Sequence, residues 1–292
     1  MDRRQNNLVD FLCVGGMKCG TTSFYQGFKQ HPQLALTKGK EAKFFNHPIT
    51  EARIQWYHER FGEDAGRQRG DVDPEYAMRH RYPETVSRIK KFAPNAKVIY
   101  IVRDPIERLI SHLQHDMLKD RLNRATFESA LMEPQNTYVN TSQYHYQIQP
   151  FVEALGTESI VVLSFEHMLA DPAAFIERVC VFLNITNHPA VAFSKANTSS
   201  SRYVIKYHDT VHRHIDNLKI LKLYHKFWRI FNLKVKRPDI SNVYELIHER
   251  LSPDVQAFQQ LFPHIQFKNF PNREINAASS SERRSNKPTL RK

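Results

Sequence analysis

The feature that most constrains the fold is a short apolar run that ends at two glycines and leads into a helical pattern. Leu8–Val14 is apolar apart from one aspartate, which predicts a short buried strand. Gly15 and Gly16 end that strand, because glycine tolerates turn dihedrals that other residues avoid. Thr21–Gln30 then has the pattern of a helix, capped by the hydroxyls of its first two residues and ended by His31-Pro32. Strand, glycine loop and helix in this order open a nucleotide-binding α/β domain.

Two further apolar runs repeat this alternation of strand and helix. Lys97–Val102 is rich in β-branched residues, as is typical of a parallel strand buried on both faces, and a helix is predicted from Asp104-Pro105 to about Lys119. Ser159–Ser164 is a similar run, and an amphipathic helix follows from Pro172 through Phe182. The sequence therefore predicts an α/β fold in three layers, whose mostly parallel sheet binds ligands at the carboxyl ends of its strands.

Length and composition favour one domain over residues 1–276. The chain has 292 residues, of which 41% are apolar, and it contains no apolar run long enough to span a membrane and no secretory signal. These features predict a cytoplasmic protein. Residues 277–292 are small, polar and basic, so we expect a disordered tail there.

The net charge of +12 lies mostly outside the predicted nucleotide-binding region. Residues 212–237 and 272–292 together carry eleven of the twelve net positive charges. Within the first of these segments, apolar residues recur at helical spacing among the lysines. Three interpretations remain open: a helix that covers the core or the acceptor site, which is favoured, a helix on a membrane surface, and a polyanion patch. No nucleic-acid-binding motif accompanies the charge, so nucleic acid is not expected as a partner.

The first glycine loop has the groups that a phosphate or sulfate ester requires. Glycines let backbone N–H groups approach closely, a helix N-terminus adds unpaired donors, and a lysine and hydroxyls complete the site. The order of residues differs from a Walker A loop, because Lys18 precedes the last glycine instead of following it. The candidate ligands of the anion are Lys18, Cys19, Gly20, Thr21, Thr22 and Ser23.

A second phosphate site is predicted where the strand Lys97–Val102 ends. Arg103 leaves this strand, and Ser111 lies two helical turns further along. An arginine can bind a phosphate through two parallel hydrogen bonds, and the serine hydroxyl can converge on the same group. Alone, either motif has an ordinary structural explanation, as a helix start or as an ion pair at a strand end.

Together, the two motifs resemble the 5′-phosphosulfate loop and the 3′-phosphate site of sulfotransferases that use 3′-phosphoadenosine 5′-phosphosulfate (PAPS). The segment Lys40–Asn46 is similar to the Glu-x-x-Phe-Phe segment of the heparan sulfate N- and 3-O-sulfotransferases and their bacterial relatives. Looser similarity continues through Trp56-Tyr57, Asp73–Tyr76 and the region of Tyr144. The resemblance covers residues 8–185 approximately and implies a fold of the P-loop NTPase type, PAPS as co-substrate, and no metal.

The resemblance also implies roles for individual residues. Lys18 would stabilise the charge that develops on the leaving nucleotide. Glu41 matches the glutamate that serves as base in the heparan sulfate relatives, and it follows a predicted strand at Leu34–Leu36. The alternative interpretation of Glu41 is a solvated carboxylate that pairs with Lys40 or Lys43. Cytosolic sulfotransferases of small molecules use a histidine, for which His115, one turn after Ser111, is the candidate.

The acceptor site is less well defined by the resemblance. A lysine that heparan-specific relatives carry is replaced by Val72, which argues against a highly sulfated glycan as acceptor. If residues 71–75 are extended, Asp71, Asp73 and Glu75 share a face and could bind a cationic or hydroxyl-rich acceptor. The favoured alternative is that they are buried cap residues. The remaining candidates are Phe44 and Tyr144 for the acceptor, and Arg202 in Ser199–Arg202 for the nucleotide.

The function expected from sequence is therefore sulfuryl transfer to a hydroxyl or amine of a small molecule or carbohydrate. A P-loop kinase is disfavoured because it needs a lysine directly before Ser/Thr and an acidic strand end for magnesium. A non-catalytic module that binds the product nucleotide remains the alternative from another class. Three cysteines, Cys13, Cys19 and Cys180, show no metal-ligand spacing and are expected to be packing residues.

Overall fold

A computed structural model describes residues 7–64, 66–123, 125–193 and 236–271, with a few single positions between 215 and 227. Most of the basic segment 212–237, Ser199–Arg202 and the tail 277–292 lie outside the described residues. Within the part of the chain that is described, no helix is both long and apolar enough to cross a membrane.

A five-stranded sheet forms the centre of the described structure. Its strands are β1 (Phe11–Cys13), β2 (Leu34–Leu36), β3 (Gln68–Val72), β4 (Lys97–Val102) and β5 (Ile160–Ser164). Their order is β2-β3-β1-β4-β5, and every neighbouring pair is parallel. Cys13 at the end of β1 is in register with Val72 of β3 and Ile99 of β4. The parallel sheet and its α/β class confirm the prediction.

Helices flank the sheet and alternate with the strands. They are α1 (Thr21–Phe28), α2 (Glu51–Glu59), α3 (Thr85–Phe92), α4 (Pro105–Leu118), α5 (Phe127–Met132), α6 (Thr137–Ser142), α7 (Tyr144–Leu155), α8 (Phe165–Ala170), α9 (Pro172–Leu183) and α10 (Tyr244–Leu261), with 3-10 turns at Pro74–Ala77, Thr157–Ser159 and Ser241–Val243. The predicted helices after β1, β4 and β5 all form, within a few residues of their expected ends.

The central strand pair is buried because its sequence leaves no polar face. Residues 98–102 of β4 are all buried, as is the whole of β1. At the end of β4 the chain enters α4 through Asp104, whose side chain accepts hydrogen bonds from the N–H groups of Ile106 and Glu107. Pro105 at the first helical position suits this start, since it has no N–H to satisfy. The sequence thus determines both the burial of β4 and the residue at which α4 begins.

One local prediction is wrong, and one of two alternatives is excluded. The threonine hydroxyls do not cap α1; the N-cap is Gly20, in the left-handed region at φ 91°, with no side-chain hydrogen bond. The segment 71–75 is not fully extended, because β3 ends at Val72 and Pro74 starts a 3-10 turn. Glu75 therefore lies on a turn and does not continue the strand face of Asp71 and Asp73.

Gly20 is under two constraints at once, and we predict that Gly20→Ala is costly. A Cβ there would lie 2.6 Å from Cδ2 of Phe165, in addition to the positive φ. Gly39→Ala is the matched control, since φ is 80° and the only atom near its Cβ is the flexible Nη2 of Arg60 at 3.1 Å. We expect the free energy of unfolding to fall by about 1–2 kcal/mol in Gly39→Ala and by about 1–3 kcal/mol more in Gly20→Ala. Urea unfolding measures both; equal losses would contradict the steric account.

Candidate active site

The candidate site lies where the carboxyl ends of four adjacent strands meet. Because the strands are parallel and in register, the loops that follow β1, β2, β3 and β4 emerge at the same edge of the sheet. These loops carry Lys18, Glu41, Asp73 and Arg103 respectively. The topology therefore brings to one edge residues that are far apart in the sequence.

The glycine loop after β1 runs against the end of β4. The N–H of Val14 donates to the carbonyl oxygen of Ile99 (3.0 Å), and the N–H of Gly16 donates to that of Ile101 (2.9 Å). A side chain at Gly15 would not fit, because its Cβ would lie 2.6 Å from the oxygen of Ile101. This close approach extends the β1–β4 pairing into the loop and fixes where α1 begins. The first N–H groups of α1 have no partner within the helix and can bind an anion.

Lys18 and His115 meet although 97 residues separate them. Nζ of Lys18 lies 3.4 Å from Nδ1 of His115, and the Lys18 backbone is in the left-handed region at φ 74°. His115 lies one turn after Ser111 on α4, so both side chains point to one side of that helix. The contact shows that α4 and the glycine loop border the same site.

Arg103 is fixed at the end of β4 by contacts to its backbone and its side chain. The hydroxyl of Tyr144 donates to the Arg103 carbonyl oxygen (2.8 Å), and the guanidinium lies 5.1 Å from the ring centroid of Phe165. Nη2 also pairs with Glu107 at 3.5 Å. Ser111 follows on the same side of α4 and is partly exposed.

Glu107 is shared between two arginines. Besides pairing with Arg103, its carboxylate accepts hydrogen bonds from Nη1 and Nη2 of Arg237, at 2.9 and 2.6 Å respectively. The hydrogen bond from Arg237 is the main cause that lowers the pKa of Glu107, and Arg103 contributes. Nothing in the sequence indicates this bridge, because Arg237 is remote in the chain and belongs to a segment with several lysines. Arg237 thus lies next to the residue predicted to bind the 3′-phosphate.

Glu41 is presented by a loop with unusual backbone conformations. Glu41 and Lys43 both have positive φ, 67° and 51°, and the N–H of Glu41 donates to the Val72 carbonyl oxygen (3.1 Å). The Glu41 carboxylate is exposed and forms an ion pair with Lys40. Lys43 instead pairs with Glu75 at 3.0 Å. The pairing with Lys40 agrees with the alternative interpretation of Glu41, and its role as base stays a prediction.

Besides its ion pair with Glu41, Lys40 extends towards the end of β1. Its side chain is only 16% exposed. Burial raises the pKa of the Cys13 thiol, and the positive charge of Lys40 is the main influence that opposes this rise. Lys40 therefore places a second cation near the edge where the glycine loop begins.

Two buried carboxylates, Asp71 and Asp73, accept hydrogen bonds that hold the loops at this edge in place. Asp71 accepts hydrogen bonds from the hydroxyls of Thr37 (3.2 Å), Tyr57 (3.0 Å) and Tyr76 (2.7 Å). Burial raises the pKa of Asp71 in spite of these bonds. Asp73 accepts from the N–H of Lys43 (2.8 Å) and the N–H of Glu75 (2.9 Å). Asp73 thereby ties the Glu41 loop to the end of β3.

Three of the residues predicted to contact the acceptor, Phe44, Tyr144 and Asp73, are fully buried. Phe44 is fully buried and stacks on Tyr57 at 4.0 Å between centroids. Tyr144 is also fully buried, and its hydroxyl is engaged with the Arg103 backbone and, at 3.6 Å, with Sγ of Cys19. Asp73 has no exposed surface and acts as a cap. These three side chains expose no surface to an acceptor and hold the loops in place, whereas Glu75 remains partly exposed.

The cysteine in the loop is a packing residue, as expected. Cys19 is fully buried, and burial raises the pKa of its thiol to about 11. All three cysteines are unpaired and buried. Any contact of Cys19 with an anion would use its backbone N–H. Thr21 is buried at the start of α1, whereas Thr22 is exposed and Ser23 partly exposed. Arg202 lies outside the described residues, so its predicted role stays a prediction.

Comparison with known proteins identifies the family. A family model described as a sulfotransferase domain matches residues 8–236. The chain belongs to the sulfotransferase domain family. Human heparan sulfate glucosamine 3-O-sulfotransferase 3A1 is 24% identical over 256 residues, which are 80% of this chain and 61% of that protein. Curated relatives that match this sulfotransferase are longer, and the chain spans 23% to 70% of their length.

Solved structures show the same fold. A sulfotransferase from Alicyclobacillus acidocaldarius is 20% identical with a TM-score of 0.60, over 87% of this chain and 95% of that chain. Mouse sulfotransferase SULT7A1, complexed with PAP, the product nucleotide 3′-phosphoadenosine 5′-phosphate, is 14% identical with a TM-score of 0.50, over 89% of this chain and 90% of that chain. These similarities confirm the predicted fold of the P-loop NTPase type.

Asp73 should give this sulfotransferase domain a distinctive dependence of stability on pH. Burial, followed by the charge of Asp71, raises the pKa of Asp73 from 3.8 to about 7. The folded state thus keeps a proton that the unfolded chain has lost, and the stability from Asp73 declines as pH rises through this interval. Relative to Asp73→Asn, we expect the wild-type free energy of unfolding to fall by up to about 4 kcal/mol between pH 4 and pH 7. Urea unfolding across this range tests it; a constant difference would contradict it.

Proposed function

We propose that this sulfotransferase domain transfers the sulfuryl group of PAPS to a hydroxyl or amine of a small-molecule or carbohydrate acceptor. The observation that carries the proposal is the convergence of two anion-binding motifs at one edge of the sheet. Lys18 of the glycine loop contacts α4 through His115 at 3.4 Å, and the same helix begins beside Arg103 and carries Ser111. The two motifs can therefore bind opposite phosphate ends of one nucleotide.

The glycine loop suits the 5′-phosphosulfate end. It combines a lysine with a helix N-terminus, and the backbone approaches so closely at Gly15 that no side chain fits. Lys18 and the N–H groups of Gly20 to Ser23 would bind the anion. A PAPS molecule held there supplies an activated sulfuryl group whose departure leaves negative charge on the bridging oxygen of the nucleotide. Lys18 would stabilise that charge electrostatically.

The 3′-phosphate end is assigned to Arg103 and Ser111. Arg103 carries a positive charge that is only partly compensated, because its partner Glu107 lies at 3.5 Å and is shared with Arg237. A phosphate would offer Arg103 shorter, bidentate hydrogen bonds. The mouse relative crystallised with PAP supports a nucleotide of this kind.

Glu41 is proposed as the base that takes the proton of the acceptor. Its carboxylate is exposed at the same edge, and the loop that carries it is held by Asp73 and by the Val72 carbonyl oxygen. Lys40 forms an ion pair with this carboxylate and holds it at the edge of the site. His115 is the second candidate, favoured by its contact with Lys18.

The acceptor class is proposed from what borders this edge. Lys43 and Glu75 form a partly exposed pair next to Glu41, which offers one donor and one acceptor to a hydroxyl-rich molecule. The relatives named for heparan sulfate support a carbohydrate acceptor. Val72, where heparan-specific relatives carry a lysine, is fully buried and makes a densely sulfated chain a less suitable acceptor. We keep a cytoplasmic location as part of the proposal.

A transfer assay with ³⁵S-labelled PAPS tests the function. Wild-type protein, incubated with a panel of oligosaccharides, phenols and alcohols, should transfer label to at least one acceptor, which mass spectrometry identifies. Glu41→Gln should lower turnover by about 100-fold or more, because general base catalysis contributes 10²–10⁴-fold. Its affinity for PAP should stay unchanged, since Glu41 is not assigned to the nucleotide.

Two controls separate the outcomes of this assay. Glu63→Gln removes an exposed glutamate elsewhere on the surface and should keep wild-type turnover. If Glu41→Gln keeps full turnover and His115→Asn loses it, the base is His115 and not Glu41. If wild-type protein binds PAP but transfers no label to any acceptor, a non-catalytic nucleotide-binding module is the better description. A protein that neither binds PAP nor transfers label would overturn the proposal.

A further inference from the structure

A fully buried arginine lies directly behind the glycine loop. Arg108, on the first turns of α4, has no exposed surface. Its Nη1 donates to the carbonyl oxygen of Met17 (3.4 Å), the residue before Lys18. Its Cδ is 3.8 Å from the position that a Cβ on Gly16 would take. The guanidinium therefore contacts the loop from the side of the protein core.

The acceptors that surround this guanidinium are all neutral. Nε donates to the hydroxyl of Ser142 (2.7 Å), and Nη2 donates to the carbonyl oxygen of Tyr138 (2.5 Å). Nη1 also meets Nδ1 of His112 at 3.2 Å. Burial, and next the charge of Arg108, lower the pKa of His112 well below its usual value, so His112 is neutral and Nδ1 accepts.

The nearest acidic group of this network lies one residue further away. Nε2 of His112 is 3.5 Å from Asp116, which also accepts a hydrogen bond from Tyr138 (3.0 Å). In the described part of the chain, Arg108 itself makes no ion pair with a carboxylate. A buried cation without a direct counter-ion is costly, so its persistence in a fold calls for a compensating anion nearby.

The charge of Arg108 acts on groups of the glycine loop. It is among the influences that oppose the rise in the pKa of the Cys19 thiol, within the loop. Because Arg108 is buried, its electric field acts on the loop through protein instead of water, and salt screens this interaction weakly. An anion bound to the N–H groups of the same loop would experience the same attraction.

We propose that Arg108 is a positioning residue of the nucleotide site, which fixes the Met17–Lys18 peptide and provides a buried positive charge for the 5′ anion of the nucleotide. This inference rests on the proposed function. It differs from the roles of Lys18 and Arg103, because Arg108 does not touch the ligand and acts through the back of the loop. The 5′ anion of the bound nucleotide would in turn provide the negative charge near Arg108 that no carboxylate of the described residues provides.

Calorimetric titration of two nucleotides into arginine variants tests the proposal. PAP has a 5′-phosphate, and adenosine 3′-monophosphate lacks it. Arg108→Gln should bind PAP at least about tenfold more weakly than wild type, equivalent to about 1.4 kcal/mol, and bind adenosine 3′-monophosphate within about twofold of wild type. Arg108→Lys keeps the charge and should recover most of the PAP affinity. Arg250→Gln, which removes an arginine bonded to carbonyls of Leu131 and Met132, should bind PAP normally.

Each result of this titration has one meaning. Arg108→Gln with wild-type affinity for PAP would overturn the proposal, as would equal losses for both nucleotides or equal losses in Arg108→Lys and Arg108→Gln. If wild-type protein binds no PAP, the proposed function fails and not this inference alone. If Arg108→Gln does not fold, the ¹⁵N resonance of Arg108 Nε in wild-type protein decides. We expect it to shift with PAP but not with adenosine 3′-monophosphate, and the absence of a PAP-specific shift would overturn the proposal.

Discussion

The close contact between the glycine loop and the end of β4 is the constraint on which the rest of the site depends. The hydrogen bond from Gly16 to Ile101, and the lack of space for any side chain at Gly15, continue the β1–β4 pairing beyond the strands. Because α1 and α4 both begin at this point, their N-terminal ends and Lys18, Arg103 and Ser111 share one edge. A wider turn after β1 would separate the loop from α4 and the two phosphate-binding motifs from each other.

Positive charge at this edge is held in several different ways. Arg103 is paired loosely with a glutamate that Arg237 holds more closely, Lys40 is paired with Glu41, and Arg108 is buried among neutral acceptors. The negative groups nearby, Asp71 and Asp73, are engaged by hydroxyl and backbone donors and have raised pKa values. The edge thus favours anions, although the chain's excess of basic residues lies in other segments. A nucleotide with anionic groups at both its 5′ and 3′ ends fits this distribution better than a neutral or cationic ligand.

The fold and the nucleotide motifs could be predicted from sequence because they depend on local patterns. Lys97–Val102 is a continuous apolar run, and Asp104-Pro105 is a strong helix start, so both were predicted correctly. The glycine loop is recognisable by its residues, but the sequence does not show that Gly20 is the N-cap, because its left-handed backbone (φ 91°) is set by the packing of the loop. The burial of Arg108 and the bridge at Glu107 could not be foreseen. In the helix sequence, Arg108 and Glu107 each resemble an exposed charged residue. Arg108 is buried only because α6 packs against it, and Glu107 forms a bridge only because Arg237 lies beside it.

A crystal structure of the wild-type protein with PAP tests the central claim most directly. The claim predicts the 5′-phosphate on the N–H groups that follow Lys18, within hydrogen-bonding distance of its Nζ, and the 3′-phosphate on Arg103 and Ser111. Glu107 should then have released Arg103. PAP bound at another edge of the sheet, or bound here with neither phosphate on these residues, would contradict the account.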